Sequence, residues 1–239
     1  MKKIICALLA LVLCLSVTAC GGAGASTETT IGRTAFDASK EAYDCVSTAY
    51  EITDKFASDV YEAWRLGIYE AWRLGIYEDD SITSRGASYL AGELNLSEEE
   101  LIEGIVYTML GGTDEDYQNA TEEEKQEYRD WDVIYFSLNE DSLFSACIWA
   151  VTGAYAASGK TKEAQTALDD AKAIMREMSE KYSDYEHYPS LKGYYTTTSS
   201  YFNFCSNPDG SFEQVKTTIN DYRNEARDYI SDLDYIFED

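Results

Sequence analysis

Apolar residues recur at intervals of three and four along almost the whole chain from residue 30 to residue 239. This spacing places them on one face of a helix, and no segment shows the sustained alternation of a half-buried strand. Only two prolines occur among the 239 residues, so few positions would interrupt a helix. The sequence therefore predicts an all-α fold, a helical bundle of about five to six helices in a single domain spanning 30–239.

Capping residues predict where several helices begin. A Ser or Thr followed three residues later by Glu or Gln satisfies free N–H groups of a first turn. Three sites have this pattern: Ser97 with Glu100, Thr121 with Glu124, and Ser211 with Gln214. We predict that the second of these helices runs to Ser158 and that the acidic stretch 114–116 before it is a loop. Another helix should begin at Pro189 and carry on one side Leu191, Tyr195, Phe202 and Cys205.

The first helical segment ends in a tandem repeat, in which Tyr61–Ile68 is followed by the same eight letters at Tyr69–Ile76. Eight residues rotate a helix by about 800°, so the two copies face about 80° apart. Trp64 and Trp72 therefore cannot share one seam. We favour a slippage duplication near a helix end; the alternative is a paired Trp and Arg surface, with Trp64 and Trp72, that binds a partner.

The length of this segment also constrains its shape. An unbroken helix from Thr30 to Ile76 would be about 70 Å long. A compact domain of this size has a radius of gyration of only about 17 Å. We therefore predict a break near Gly67 or Gly75, unless the molecule is elongated.

One stretch resembles the middle of a tetratricopeptide repeat, in which small and aromatic side chains let two antiparallel helices approach. The matching residues are Ala154, Tyr155, Gly159, Glu163, Ala164, Leu168 and Ala171. The family's first tryptophan position holds Ile148, and its glycine position holds Thr152. Because the stretch covers only about 25 residues and occurs once, the resemblance implies no more than a tight αα-hairpin.

The amino terminus has the composition of a signal peptide. Lys2 and Lys3 precede an apolar run, 4–17, of the length expected for the hydrophobic region of a signal. Small residues then lead into a cysteine, in the order Val17-Thr18-Ala19-Cys20-Gly21-Gly22. This ending resembles the lipobox of bacterial lipoproteins, which implies that Cys20 becomes the first mature residue and carries a diacylglyceryl group on its sulfur.

The resemblance divides the chain into a signal peptide (1–19), a small, polar and flexible tether (20–29) and the helical domain (30–239). Two acyl chains hold a protein stably on a bilayer, where one would not. The expected location is therefore the extracytoplasmic face of the cell membrane, with lipid on Cys20 as the anchor. An ordinary secretory signal, in which Cys20 is incidental, is the alternative.

Charge excludes one class of partner. Acidic residues outnumber basic ones by 44 to 19, and removal of Lys2 and Lys3 would leave 17 basic residues and a formal charge of −27. Such a charge repels phosphate backbones, so the sequence argues against nucleic-acid binding. A basic partner would instead be attracted, with an association rate that falls as salt rises.

No familiar catalytic arrangement appears in the sequence. Ser158-Gly159-Lys160-Thr161 lacks the glycine spacing and the preceding strand of a phosphate-binding loop. His187 is the one histidine, and a solvated loop side chain is its favoured interpretation. The acidic clusters fit helix first turns better than calcium loops. The sequence thus favours a protein without metal, cofactor or catalysis, although the carboxylate pair of a surface hydrolase cannot be recognised without geometry.

Three cysteines would remain in the mature chain besides Cys20: Cys45, Cys147 and Cys205. All three have apolar neighbours in helical patterns, which favours small buried side chains. One disulfide plus one free thiol is the alternative.

Tyrosine is unusually frequent, with 20 residues against 8 Phe and 4 Trp. Its apolar ring and polar tip suit wet-edged cores, protein interfaces and ligand platforms alike. The candidate binding surface consists of Tyr185, Tyr188, Tyr194, Tyr195 and Tyr201, with Trp64 and Trp72 as further candidates. The favoured function is non-catalytic binding of an envelope protein or a small ligand. The alternatives are a small-molecule receptor for a transporter or sensor and, less favoured, a surface hydrolase.

Overall fold

The computed structural model describes residues 33–73, 87–130 and 143–237, with side chains over 33–67, 87–130 and 147–237. These residues form nine helices and no strand: α1 (Ala35–Arg73), α2 (Ala87–Glu93), α3 (Glu98–Met109), α4 (Asp114–Asn119), α5 (Glu122–Tyr128), α6 (Leu143–Ala157), α7 (Lys160–Lys181), α8 (Tyr188–Ser206) and α9 (Phe212–Phe237). The all-α class is confirmed. The described helices outnumber the predicted five to six because three of them, α2, α4 and α5, have only six or seven residues. The predicted signal peptide and tether lie outside the described residues.

The longest helix, α1, packs against α6, α7, α8 and α9. Its 39 residues correspond to about 58 Å, and it continues through Gly67 without interruption. No break occurs at Gly67, the first of the two predicted positions, while Gly75, the second, lies outside the described residues, so a break there stays a prediction. A glycine costs a helix only about 1 kcal/mol, and burial of Trp64 and Leu66 beside it outweighs that cost.

The core has two main parts, both built on α1. One part surrounds Phe56, Val60 and Trp64 and receives side chains from α2, α3, α6, α8 and α9. The other surrounds Tyr43 and Val46 and receives side chains from α7, α8 and α9. Because α1 contributes to both, its apolar seam connects the two parts of the core.

The predicted αα-hairpin forms only in part. Gly159 adopts a left-handed conformation (φ 78°) and turns the chain from α6 into α7. The two helices nevertheless pack mainly on α1 rather than on each other. The ring of Tyr155 stacks on Phe56 of α1 at 4.3 Å between centroids, and Ala164 packs with Ala49 of α1. The small and aromatic side chains of the tetratricopeptide-like stretch therefore make room for α1 as a third helix.

Helices α3 and α6 cross at two glycines. A Cβ on Gly104 would lie 2.6 Å from the backbone nitrogen of Ala154, and a Cβ on Gly153 would lie 2.8 Å from the carbonyl carbon of Gly104. Neither position has room for a side chain. The crossing brings Leu101 and Ile105 of α3 into the core around Phe56.

Local capping confirms three predicted helix starts and corrects one predicted loop. The capping boxes at Ser97 and Thr121 form as expected, and Ser211 exchanges hydrogen bonds with Gln214. The acidic stretch 114–116 is not a loop, because the side chain of Thr113 caps it as the first turn of α4.

The helix that begins at Glu122 does not run on to Ser158. It ends at Tyr128, and Asp130 is no longer helical. Helix α5 has no buried residue and hence no apolar face on which to continue. Its C-cap residue Arg129 instead pairs with Glu103 of α3, which fixes the end of the short helix.

Candidate interaction surfaces

The tyrosine-rich segment is divided between core and surface. The side chains of Tyr194 and Tyr201 are 1% and 0% exposed, so these two candidates do not belong to a binding surface. Tyr194 packs 5.9 Å from Tyr50, and Tyr201 stacks on Tyr222 at 5.2 Å between ring centroids. The remaining candidates of the segment, Tyr185, Tyr188 and Tyr195, are half-buried.

The buried face of α8 differs from the predicted one. Its buried residues are Leu191, Tyr194, Thr197, Thr198, Tyr201, Phe202 and Cys205. The predicted burial is correct for Leu191, Phe202 and Cys205, whereas Tyr195 lies half-buried at the edge of the core. The spacing 191, 194, 198, 201 and 205 follows a three-four alternation, so this signal was present in the sequence. The polar residue Thr198 in the middle of the series concealed it.

Of the two candidate tryptophans, the structure describes the side chain of one, Trp64. Trp64 is buried in the core around Phe56 and is 4% exposed, so it offers no surface to a partner. The side chain of Trp72 lies outside the described residues. Trp64 is buried because it continues the seam of Phe56 and Val60 along α1 at helical spacing.

Cys147 and Cys205 are buried free thiols, as the sequence analysis favoured. Burial raises the pKa of Cys147 to about 12, so its reactive thiolate form is scarce at neutral pH. Burial likewise raises the pKa of Cys205. Cys45 is half-buried and faces the space between α1 and α7.

Sequence reasoning missed a buried polar contact between α1 and α6. Asp59 is 3% exposed and accepts hydrogen bonds from the hydroxyl of Tyr155 at 2.7 Å and from Nζ of Lys55 at 2.9 Å. Burial and the neighbouring Asp59 raise the pKa of Tyr155. An aspartate inside an apolar helix seam is the signal that could have revealed this contact.

A second polar contact joins α1 to α8 and α9. Arg223 donates to Asp54 at 2.5 Å and to the hydroxyl of Ser58 at 2.6 Å, and Tyr201 donates to Asp54 at 3.1 Å. The carboxylates of both contacts are occupied by donors from neighbouring helices. Their arrangement orients helices rather than presenting an acid or a base to a substrate.

One concave feature of the described residues is an open groove of about 550 Å³ between α1 and α7. We call it the α1–α7 groove. Its walls carry four carboxylates and one ammonium group around a floor of small side chains. The residues are Glu41, Asp44, Cys45, Thr48, Gly159, Lys162, Glu163, Thr166, Ala167 and Asp170. This excess of negative charge favours cationic groups over anionic ones.

A smaller open groove of about 370 Å³ includes Tyr107 and Thr108 of α3 and Trp149 and Thr152 of α6. Trp149 is 42% exposed there. The hydroxyl of Thr152 donates to the carbonyl of Ile148 on its own helix, so it is already partly satisfied. The groove thus offers an aromatic face beside several threonine and serine side chains.

Known proteins give no further guidance to this arrangement. No protein-family model, no curated protein and no solved structure matches the chain. In the part of the chain that the structure describes, no His, Cys, Asp and Glu side chains are grouped so as to hold a metal ion. No helix within the same residues combines the length and hydrophobicity that a membrane crossing requires. The described residues therefore define an all-α protein with an acidic open groove between α1 and α7 and a second open groove beside Trp149.

Proposed function

We propose that the chain is a lipid-anchored, extracytoplasmic protein whose helical domain binds a basic protein partner through an outer face, without performing chemistry. The observation that carries the proposal is the placement of the tyrosines. Because Tyr194 and Tyr201 fill a solid core, the tyrosine segment supplies no enclosed ligand cavity. The α1–α7 groove and the smaller groove beside Trp149 are both open, and open grooves suit a partner's side chains better than an engulfed small molecule.

The charge of the partner follows from the charge of the chain. With the signal removed, the formal charge would be −27, and the α1–α7 groove is acidic as well. Opposite charges accelerate encounter, and like charges suppress it. A basic partner is thus favoured on two counts, the field of the whole molecule and the local lining of the groove.

Site-specific photocrosslinking in cells tests the binding proposal. A photoreactive residue at Thr166, on the wall of the groove, should capture a discrete protein species. The matched control is Thr217 on α9, also an exposed helical threonine. Asp170→Lys should reduce the yield from Thr166 by about tenfold, since a groove carboxylate becomes a cation, whereas Asp228→Lys on α9 should not. Equal capture from both threonines, or no effect of Asp170→Lys, would contradict the proposal.

The anchor half of the proposal depends on the lipobox-like sequence that ends in Cys20. It is tested by comparing the wild-type chain with Cys20→Ala in cell fractionation and in mass spectrometry of the mature N-terminus. We expect a diacylglyceryl-modified Cys20 in the wild type and loss of membrane attachment in the variant. A Cys20→Ala chain that stays wholly membrane-bound would refute the lipid anchor.

The smaller groove supports a second candidate function, a small-molecule receptor, because Trp149 presents a 42% exposed aromatic face there. Such faces stack against sugar rings and aromatic ligands. A ligand of this groove would raise the midpoint of thermal unfolding by an amount that grows with the logarithm of its concentration above Kd. The increase should disappear in Trp149→Ala and persist in Asp170→Lys, which separates this function from partner binding in the α1–α7 groove.

A further inference from the structure

Four helix ends meet where the described chain begins. Phe36 at the start of α1 lies 5.6 Å from Phe237 at the end of α9, measured between ring centroids. Ser39 of α1 donates to Sδ of Met178, near the end of α7, at 3.8 Å. Tyr188, at the start of α8, packs against the same part of the core. We call this end of the domain the tether end and define it by Phe36, residues 182–188 and residues 235–237.

The tether end is rich in partly exposed aromatic side chains. Among the described residues, the large apolar side chains with the greatest solvent exposure are Phe36 (45% exposed), Trp149 (42%) and Tyr235 (89%). Two of these three lie at the tether end. They are accompanied by half-buried Tyr182, Tyr185 and Tyr188. Amphipathic rings of this kind are enriched at the level of lipid headgroups, where one end of the ring is apolar and the other is wet.

The distance to the proposed anchor is short. Thirteen peptide steps separate Cys20 from Arg33, the first described residue. Whatever their conformation, they span at most about 45 Å. If Cys20 carries lipid, the tether end is held close to the bilayer at a high effective concentration. A contact that would be too weak between free molecules then becomes populated.

We propose that the tether end rests on the bilayer surface, with Tyr235 and Phe36 entering the headgroup region and the tyrosines of 182–188 beside them. This inference rests on the proposed lipid anchor and adds an orientation to it. The α3–α6 side of the domain, with Trp149, then stays in the aqueous phase. Exposed carboxylates also lie at or near the tether end, among them Asp37, Asp184, Glu186 and Asp232. The contact should therefore favour zwitterionic over anionic headgroups.

Hydrogen exchange on vesicle-bound protein tests this orientation. One arm uses the native lipoprotein reconstituted in phosphatidylcholine vesicles. The second uses the Cys20→Ala chain from residue 20 with an N-terminal hexahistidine on nickel-chelating vesicles, which replaces the lipid. Exchange at the tether end should slow by about threefold or more relative to the untethered chain, while exchange in α3 and α6 stays unchanged. About 30% phosphatidylglycerol in the vesicles should weaken the effect.

Tyr235→Asp should abolish the slowed exchange without unfolding the domain, because the side chain is 89% exposed. The matched control is Asn224→Asp, which adds the same charge to an exposed position of the same helix. Unchanged exchange at the tether end in the hexahistidine arm would overturn the inference. So would protection that appears only in native envelope membranes, which would indicate a protein partner. If exchange slows in the hexahistidine arm while Cys20 of the native protein carries no lipid, the proposed anchor is refuted but the orientation is not.

Discussion

At the scale of single residues, Asp59 shows how this domain buries a carboxylate. Its two donors differ, because the Tyr155 hydroxyl is buried whereas the side chain of Lys55 is 60% exposed. The ion pair is thus partly screened by water and contributes little. The hydrogen bond from Tyr155 is the stronger determinant, since an interior carboxylate that loses a donor is left undersatisfied.

Removal of the Tyr155 hydroxyl should therefore destabilise the domain. We expect Tyr155→Phe to lower the free energy of unfolding by about 1.5–3 kcal/mol, the range for hydrogen bonds to charged groups, since the ring stack on Phe56 remains. The control is Tyr235→Phe, which deletes the same hydroxyl from an 89% exposed ring and should change stability by less than about 0.5 kcal/mol. Urea unfolding followed by circular dichroism measures both. Equal effects would show that the Asp59 contact is energetically unimportant.

The capping box of α3 gives the stability a pH dependence. The backbone N–H of Ser97 donates to Glu100 at 2.9 Å and, with Lys160 at 3.1 Å, lowers the pKa of that carboxyl below its usual value. A carboxyl whose pKa is lower in the folded protein than in the unfolded chain stabilises the fold at pH values above the unfolded pKa. This contribution is lost as the pH falls through the folded pKa. We expect Glu100→Gln to flatten the loss of stability below about pH 4.5. Glu99→Gln, at the exposed neighbouring position, is the matched control.

At the scale of elements, the crossing of α3 and α6 depends on two missing side chains. The main chains approach at Gly104 and Gly153 until neither position tolerates a Cβ. Packing of α3 on the core therefore requires glycine where helix propensity alone would favour alanine. Tertiary contact outweighs local preference at this crossing.

Gly104→Ala should destabilise the domain by about 1–3 kcal/mol, because overpacking separates the helices. Gly92→Ala is the control, since a Cβ there would meet nothing within 4 Å. In α2 the same substitution should be neutral or stabilising by up to about 1 kcal/mol. Thermal and urea unfolding give both values. An increase in stability from Gly104→Ala would mean that α3 and α6 do not approach as described.

Local signals predicted some elements and missed others for a physical reason. Capping boxes act within one turn, so the starts of α3, α5 and α9 could be predicted from a few letters. The end of α5 at Tyr128 depends on the pairing of its C-cap residue Arg129 with Glu103, which is 26 positions away in the chain, and no local pattern contains that information. The same holds for the αα-hairpin, because α1 occupies the space between its helices only in the folded chain.

The candidate surface was predictable only in outline. Composition correctly marked the segment 182–201 as tyrosine-rich. Which rings are buried depends on the rotation of α8, and the face shared by Tyr194 and Tyr201 is next to that of Tyr195. A rotation of one residue, about 100°, decides between core and rim. The burial of Trp64 could not be predicted for a different reason. Its motif occurs twice, and the letters do not show which copy faces the core.

At the scale of the whole molecule, charge dominates solution behaviour. Acidic residues outnumber basic ones by more than two to one, and compaction brings like charges together. Self-repulsion of this kind opposes the folded state and is screened by salt. Hydrophobic packing has to overcome it at low ionic strength.

The midpoint of thermal unfolding should therefore rise by several degrees between about 10 mM and 500 mM sodium chloride, where the Debye length shrinks from about 30 Å to about 4 Å. Differential scanning calorimetry on the chain from residue 26 measures the change. Potassium chloride at the same ionic strength should give the same rise, because screening depends on ionic strength and not on the identity of the salt. A midpoint that falls with salt would show that attractive ion pairs, such as Arg223 with Asp54, outweigh the repulsion.

The pairing of the first helix with the last has a consequence for biosynthesis. Ribosomes make α1 first and α9 last, yet the core around Tyr43 and Val46 is completed only by Leu233 and Phe237. An emerging chain thus keeps part of its apolar seam uncovered until its final turns appear. A prematurely terminated chain would present that seam to proteases and chaperones. Loss of the last two turns of α9 would therefore leave the core around Tyr43 and Val46 open to water.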